Sequence, residues 1–208
     1  MLNKKLLITI GLLPSCLLST AMAQNNETPT ADSYWTLNGH FISTAIDSKV
    51  ANMSRVKDQA MNYALNADYH SGSWLTSLAV GFFQYKDLDK FSQTVIGTGW
   101  GNRGDVEERS SDASALLLSV AVGPKWQFGS DSQFTAAVQA GYSHLARSER
   151  SITSCSNCYK EKINVDAGAF ADASLQYSFG SWQLGLLGRQ QLSGDLGTAV
   201  GVTIGWRL

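Results

Sequence analysis

The sequence predicts an all-β protein: an eight-stranded antiparallel up-and-down transmembrane β-barrel. The segment 163–179 alternates apolar and polar residues over its whole length, as a strand with one apolar and one polar face does. Similar segments recur along the chain, and short and long connections alternate between them. A tilted strand needs roughly 9–11 residues to cross the hydrocarbon core of a bilayer, and these segments are long enough.

The first residues have the pattern of a signal peptide. Two lysines precede an apolar run over 6–18, and Ala21-Met22-Ala23 is a small-x-small cleavage site. The expected organisation is therefore a signal peptide at 1–23 followed by an outer-membrane barrel domain at 24–208. Cys16 suggests a lipoprotein site as an alternative, although the apolar run continues beyond it.

Each of the first four strands is predicted from its own alternation. In 34–45 and 59–69, aromatic and aliphatic residues alternate with Asn, His and Asp. In 74–85 the adjacent residues Phe82-Phe83 interrupt the alternation and predict a bulge. The fourth strand, 112–128, carries Leu, Val and Trp at alternate positions.

The last four strands are predicted in the same way. The fifth, 133–145, sets Phe, Ala and Val against Thr, Gln and Ser, and the sixth is the long alternation at 163–179. The seventh spans 182–192, and the eighth, 198–208, sets Val, Ile and Trp against Gly, Thr and Arg.

The connections differ in length in a regular way. Three are short turns: 70–73, 129–132 and 180–181. Three are long, 46–58, 86–111 and 146–162, and one, 193–197, is intermediate. In bacterial barrels the short turns and both termini lie in the periplasm and the longer loops lie outside the cell.

Alternation alone leaves open which face is inside. A soluble lipocalin-like carrier would turn its apolar face inward, toward a ligand. Aromatic residues gather here at the strand ends nearest the short turns, as they do at the headgroup level of a bilayer. They are Tyr69, Trp74, Trp126, Phe128, Phe134, Tyr177, Phe179, Trp182 and Trp206. We therefore expect the apolar face to be outward and the polar face to fill a narrow lumen.

Two stretches carry a family resemblance. Val122-Gly123-Pro124-Lys125-Trp126-Gln127-Phe128, a polar turn and then Ala140-Gly141-Tyr142 resemble the fourth and fifth strands of the Ail/OmpX group of small outer-membrane barrels. The last strand resembles their assembly signal, although it ends in Leu208 where the group usually has Phe. The resemblance implies the cell outer membrane of a Gram-negative bacterium, insertion by the barrel-assembly machinery, and a role at the cell surface. That role would be adhesion, colonisation or resistance to host defence, as in virulence.

Eight polar residues are expected to point into the lumen: Asp166, Asp172, Arg189 and Gln139, with Asn38, His40, Asn66 and Asp68. An unpaired charge there is expensive, so Arg189 should pair with Asp166 or Asp172. We interpret the set as a polar network that stiffens the barrel, and a proton or ion path is the alternative. Eight strands leave no continuous aqueous pore.

The loop 146–162 is basic and carries two cysteines. Arg147, Arg150, Lys160 and Lys162 are expected to contact lipopolysaccharide phosphates, or alternatively an anionic host or matrix polymer. Cys155 and Cys158 form a CxxC with no helix to stabilise a thiolate and no further ligands for zinc. A disulfide is therefore expected, and no metal or cofactor.

Two further function classes stay open beside the surface protein. One is an envelope-structural barrel without a ligand, and the other is an enzyme that modifies lipid A. Ser143 and His144 are neighbours in one strand and so face opposite sides, which prevents a dyad between them. No catalytic residue is therefore expected. The formal net charge of −1 argues against a nucleic-acid partner.

Overall fold

The computed structural model describes residues 33–96, 104, 106–130, 133–152 and 158–208, with only the backbone at Glu107. The predicted signal peptide and Cys155 lie outside the described residues. The strands are β1 (Tyr34–Ile46), β2 (Val56–Ser71), β3 (Trp74–Asp87), β4 (Ser92–Ile96), β5 (Val106–Ser110), β6 (Asp112–Phe128), β7 (Phe134–Ser151), β8 (Lys160–Lys162), β9 (Ala169–Phe179), β10 (Trp182–Gln191) and β11 (Leu196–Arg207). One helix, α1, spans Ser48–Met53.

Eight of these strands form a closed antiparallel barrel, which confirms the predicted fold class. The barrel order is β1, β2, β3, β6, β7, β9, β10 and β11. Each strand pairs with its neighbour in this order, and β1 pairs with β11 to close the ring, with Leu37 opposite Trp206. A closed ring has no unpaired edge, which removes the usual route to strand-to-strand aggregation.

The two ends of the barrel differ. At one end, here called the turn end, β2 and β3 are joined at Gly72, β6 and β7 near Gly129, and β9 and β10 at Gly180. These glycines have φ values of 53°, 87° and 62°, which side chains with a Cβ rarely adopt. The opposite end, here called the loop end, carries the long connections.

The predicted loops contain some regular structure. Asp47 caps α1, because its Oδ1 accepts from the backbone N–H groups of Lys49 and Val50 at 3.0 and 3.2 Å. Within the described part of the chain, the strands β4 and β5 pair only with each other, and β8 extends the sheet beside β7. None of the described residues belongs to a helix with the length and apolarity needed to cross a bilayer.

A belt of apolar side chains surrounds the outside of the barrel. Leu65, Leu78, Val138, Leu184 and Leu186 are 48–63% exposed in its middle. At the turn end the belt finishes in exposed aromatic residues: Trp35, Trp74, Trp126, Phe128, Phe134, Tyr177, Phe179, Trp182 and Trp206. Such a surface is stable in hydrocarbon and not in water, so the apolar face is outward, unlike that of a lipocalin-like carrier.

The lumen is polar in its turn half and apolar in its loop half. The apolar cluster consists of Ile46, Ala51, Val56, Ala60, Phe83, Tyr85, Ala113, Ala115, Leu117, Leu145, Ile163, Val165 and Leu196. These side chains come from strands that extend beyond the belt and from the loops above them. This cluster was not predicted from the sequence, where one polar face was expected to line the lumen throughout.

The predicted sixth strand is wrong in its first third. The strand β9 begins at Ala169, and upstream the inward side chains are Ile163 and Val165 rather than their polar neighbours. The backbone here bonds to the β10–β11 connection: Asp195 N donates to Asp166 O, and Asp166 N donates to Asp195 Oδ2, both at 2.8 Å. These bonds replace the strand ladder and allow the alternation to reverse.

The bulge predicted at Phe82-Phe83 is also wrong. The register of β3 with β2 is continuous from Ser71↔Trp74 to Ala60↔Tyr85. Phe82 lies outside in the belt at 51% exposure, and Phe83 lies inside at 1%. Both phenylalanines therefore obey the alternation, because the loop half of the lumen is apolar.

Candidate functional site

The turn half of the lumen holds a network around Asp68. Its Oδ2 accepts from Asn38 Nδ2 at 2.7 Å, and its Oδ1 accepts from Asn66 Nδ2 at 2.6 Å and from Ser77 Oγ. Gln139 extends the network, because its Nε2 donates to Ser77 Oγ at 2.9 Å and to Leu75 O at 3.2 Å. All of these polar side chains are buried, and the strand pairing sets Asn38 opposite Asn66 and Asp68 opposite Ser77.

A second polar group lies beside the first. Arg189 Nη2 donates to Asp172 Oδ2 at 2.9 Å, and the two residues are register partners across β10 and β9. The guanidinium carbon also lies 3.7 Å from the ring centroid of Phe170, a cation–π contact. Arg189 therefore pairs with Asp172, one of its two predicted partners.

Asp166 is placed differently from the prediction. Its side chain is exposed at the loop end and does not join the lumen network. The reversal of alternation in 163–168 is the cause, because it turns Asp166 outward and Val165 inward.

The polar lumen leaves only a small cavity of about 30 Å³ between the two groups. Three of its lining residues have a buried polar atom without a partner among the described residues: Asn62 Oδ1, Asp172 Oδ1 and Arg189 Nε. The volume accommodates about two water molecules, and such waters would satisfy these atoms. The described lumen thus offers a packed polar core.

At the loop end, Arg150 joins three connections. Its Nε donates to both carboxylate oxygens of Asp87 at 2.9 Å, and its Nη1 donates to Glu161 Oε2 at 2.7 Å. Its Nη2 donates to the backbone oxygens of Ser54 and Arg55, each at 3.2 Å. These bonds raise the pKa of Arg150 above its ordinary value, the bonds to Asp87 contributing most.

The burial of Arg150 corrects its predicted role. The side chain is 1% exposed, so it is not available for a contact with lipopolysaccharide. Asp87 was not singled out from the sequence, because it lies 63 positions from Arg150 in the chain. Glu161 lies in the same predicted loop as Arg150, 11 positions away. We call Arg150, Asp87 and Glu161 the loop clamp.

The other three basic residues of this loop surround one groove. Arg147, Lys160 and Lys162 line it together with His144, which lies just above the belt residue Tyr142. The acidic residues Glu149, Glu161 and Asp166 line the same groove. All three cations are exposed; Lys160 Nζ lies 3.8 Å from Glu149, an ion pair weakened by solvent. Arg147 has a positive φ of 51° at the irregularity of β7, and its side chain is outward. We call Arg147, Lys160 and Lys162 the basic groove.

Another exposed ion pair lies nearby. Arg55 Nη1 bonds to Asp89 Oδ2, and this hydrogen bond lowers the pKa of the Asp89 carboxyl. Both side chains are about half exposed or more, so the pair contributes little to stability.

The remaining candidate residues do not come together in one site within the described part of the chain. Ser143 is buried and donates to Gly168 O at 3.1 Å, while His144 is exposed on the outside, so the two do not meet. Cys158 is disulfide-bonded, and the pairing with Cys155 stays a prediction. Within the described ranges, His, Cys, Asp and Glu side chains form no group of three that could hold a metal ion.

Neisserial surface protein A and Ail are among the solved structures that resemble the chain. Neisserial surface protein A has 8% sequence identity and a TM-score of 0.47, over 85% of this chain and 96% of that one. Ail, the attachment invasion locus protein of Yersinia pestis, solved in complex with the heparin analogue sucrose octasulfate, has 12% identity and a TM-score of 0.46 over 85% of this chain and 97% of that one. No protein-family model and no curated protein matches the sequence.

The closed ladder, the apolar belt and the polar turn half of the lumen give the fold class from the chain's own geometry. The chain is an eight-stranded antiparallel up-and-down transmembrane β-barrel.

Proposed function

We propose that this chain is an outer-membrane protein whose loop end binds anionic groups at the cell surface. The basic groove carries the proposal, because Arg147, Lys160 and Lys162 are exposed together directly above the belt. Phosphates of lipopolysaccharide lie at this height around an outer-membrane barrel. Sulfate and carboxylate groups of a host or matrix polymer would present the same chemistry from outside.

The loop clamp supports the groove. Glu161 lies between Lys160 and Lys162 in β8, and its bond to Arg150 fixes this short strand against β7. A groove held in this way loses less conformational freedom when it binds, which favours affinity. Arg150 thus acts as a positioning residue for the basic groove.

The hairpin of β4 and β5 is a second part of the proposed contact surface. Ile96 and Val106 are register partners near its end and are 63% and 70% exposed. Phe91 packs edge-on against Tyr159, which links the base of the hairpin to the loop of the basic groove. Binding residues concentrate on loops carried by rigid scaffolds. Adhesion to cells or matrix through this surface is the finer function we propose.

Binding of a compact polyanion tests the proposal. The purified protein in detergent would be titrated with sucrose octasulfate, and compared with the variant R147Q/K160Q/K162Q. The control K49Q/K57Q/K86Q removes the same charge from three exposed lysines outside the groove. We expect at least tenfold weaker binding for the groove variant and little change for the control.

Equal losses in both variants would indicate attraction by net charge alone and would favour a structural barrel without a specific ligand. The rigid polar lumen is the observation that favours this second candidate.

For adhesion, a variant lacking 92–110 is suitable, because it removes the β4–β5 hairpin and keeps Asp87. Unchanged adhesion in that variant would exclude a role for the hairpin.

A further inference from the structure

The turn end of the lumen is closed by a cluster of aromatic and basic side chains. Tyr34 stacks on His70, with ring centroids 4.3 Å apart and an interplanar angle of 8°. Lys125 Nζ lies 5.0 Å from the centroid of the Tyr34 ring, and the guanidinium carbon of Arg207 lies 4.0 Å from it. Four different strands therefore bring two cations to one tyrosine. We call these four residues the turn-end cluster.

The position of His70 was unexpected. It was expected in the short turn 70–73, but it lies within β2, where it is 1% exposed. Its Nδ1 lies 3.1 Å from Lys125 Nζ, and its Nε2 lies 3.2 Å from Thr36 Oγ1. With Lys125 donating to Nδ1, the imidazole carries its proton on Nε2 and donates to Thr36.

The two cations keep most of their donors unused. A lysine ammonium has three N–H donors, and Lys125 has one partner, His70, among the described residues. A guanidinium has five donors, and the side chain of Arg207 makes no hydrogen bond or ion pair to a described residue. Lys125 is nevertheless only 5% exposed. A nearly buried cation beside a second cation is costly unless an anion is close.

The lumen supplies no such anion from its described residues. Asp68 is the acidic residue of the adjoining network, and its oxygens are already occupied by Asn38, Asn66 and Ser77. Asp172 is paired with Arg189. The two cations of the turn-end cluster therefore have no anionic partner among these residues. Arg207 is exposed at the outside of the turn end.

We propose that the turn-end cluster binds a small oxyanion, a phosphate or a carboxylate, between Arg207 and Lys125. The planar guanidinium presents paired N–H donors that match two oxygens of such a group, and the ammonium adds a third contact. Tyr34 holds Arg207 by cation–π contact, which fixes the donor fork in place. This site is independent of the basic groove, which lies at the opposite end of the barrel.

Inorganic phosphate is the probe, and the imidazole signals of the protein are the readout. The chain has three histidines, so few signals arise in the NMR spectrum of the refolded protein in detergent, and H70Q assigns the relevant one. Phosphate would be titrated against chloride at matched ionic strength. Wild type, R207Q and K125M would be compared, and each would be checked for the mobility of a folded barrel on an unheated gel.

A saturable shift of the His70 signal in wild type, at least tenfold weaker in R207Q and K125M, supports a site for an external oxyanion. No saturable shift in the wild type would overturn the proposal. A shift that R207Q leaves unchanged in a folded barrel would also overturn it, because this exposed residue carries the proposed donor fork.

Discussion

The guanidinium of Arg150 lies 2.7 Å from the carboxylate of Asp87, and the side chains of the two residues are 1% and 2% exposed. They are 63 positions apart in the chain, so this pair fixes two loop-end connections relative to each other. Breaking such a buried pair leaves one charge without its partner. That cost, rather than the attraction alone, makes the pair important for the loop end.

Arg150→Met is therefore expected to lower the free energy of unfolding by about 3 kcal/mol. It should also expose the loop end to proteolysis while the barrel stays closed. The measurements are urea unfolding in lipid vesicles and limited proteolysis. The matched control is Arg55→Met, because Arg55 makes an exposed pair with Asp89 and should have no measurable effect. Equal effects of the two variants would contradict the role of the loop clamp.

The lumen pair gives a second prediction. Asp172→Asn and Arg189→Met should each destabilise the barrel by roughly 3 kcal/mol, because each leaves a buried group unpaired. The double variant should cost clearly less than both single changes together, since it removes both charges. A double-mutant cycle of unfolding free energies measures the coupling. Strict additivity would show that the two side chains do not interact in the folded protein.

The buried phenol of Tyr85 should make the free energy of unfolding depend on pH in the alkaline range. Burial raises the pKa of this phenol from 10.0 to about 12, and its hydroxyl lies 2.8 Å from Ser148 Oγ. The folded state therefore favours the neutral phenol. Below pH 10 the contribution of Tyr85 is complete, and it is lost as the pH rises from about 10 to about 12.

The wild type should accordingly lose up to about 2 kcal/mol of stability across this interval through Tyr85. In Tyr85→Phe that part of the loss should be absent, although the variant starts lower by about 1 kcal/mol because one hydrogen bond is missing. Unfolding free energies at several pH values between 10 and 12 measure it. Parallel pH profiles for the two proteins would refute the prediction.

The apolar belt gives a prediction that depends on depth. Leu186 lies in the middle of the belt and Leu192 follows the loop end of β10, with exposures of 63% and 66%. In a bilayer, Leu186→Arg should cost about 2–4 kcal/mol and Leu192→Arg about 0–1 kcal/mol. Unfolding in lipid vesicles checks the pair. Similar costs at both positions would show that the belt does not face hydrocarbon.

The alternation of apolar and polar residues predicted most of the barrel because the lipid belt imposes it on every strand. The prediction from alternation failed in the parts of the strands that extend beyond the belt. Beyond the belt, Phe83, Ile163 and Val165 face inward into an apolar cluster, so the same alternation no longer identifies the inner face. The bulge expected at Phe82-Phe83 and the early start of the sixth strand have this common cause.

The contacts between remote residues at the loop end and in the lumen were not predictable from residue types. A basic loop indicates anion binding on average, but burial decides which basic residues remain accessible. Arg150 is buried by Asp87 and by backbone oxygens of the first loop, whereas Arg147 and Lys162 stay exposed. The sequence predicted that Arg189 pairs with Asp166 or Asp172. The register of β9 and β10 places Asp172 opposite Arg189.

The most direct test of the account compares unheated and boiled samples of the outer-membrane fraction on a denaturing gel. A closed barrel with an apolar outside sediments with that membrane and resists detergent until it is heated. We therefore predict that the protein is found in this fraction and migrates differently before and after boiling. Recovery of the protein in a soluble fraction, with one mobility under both conditions, would contradict the transmembrane barrel.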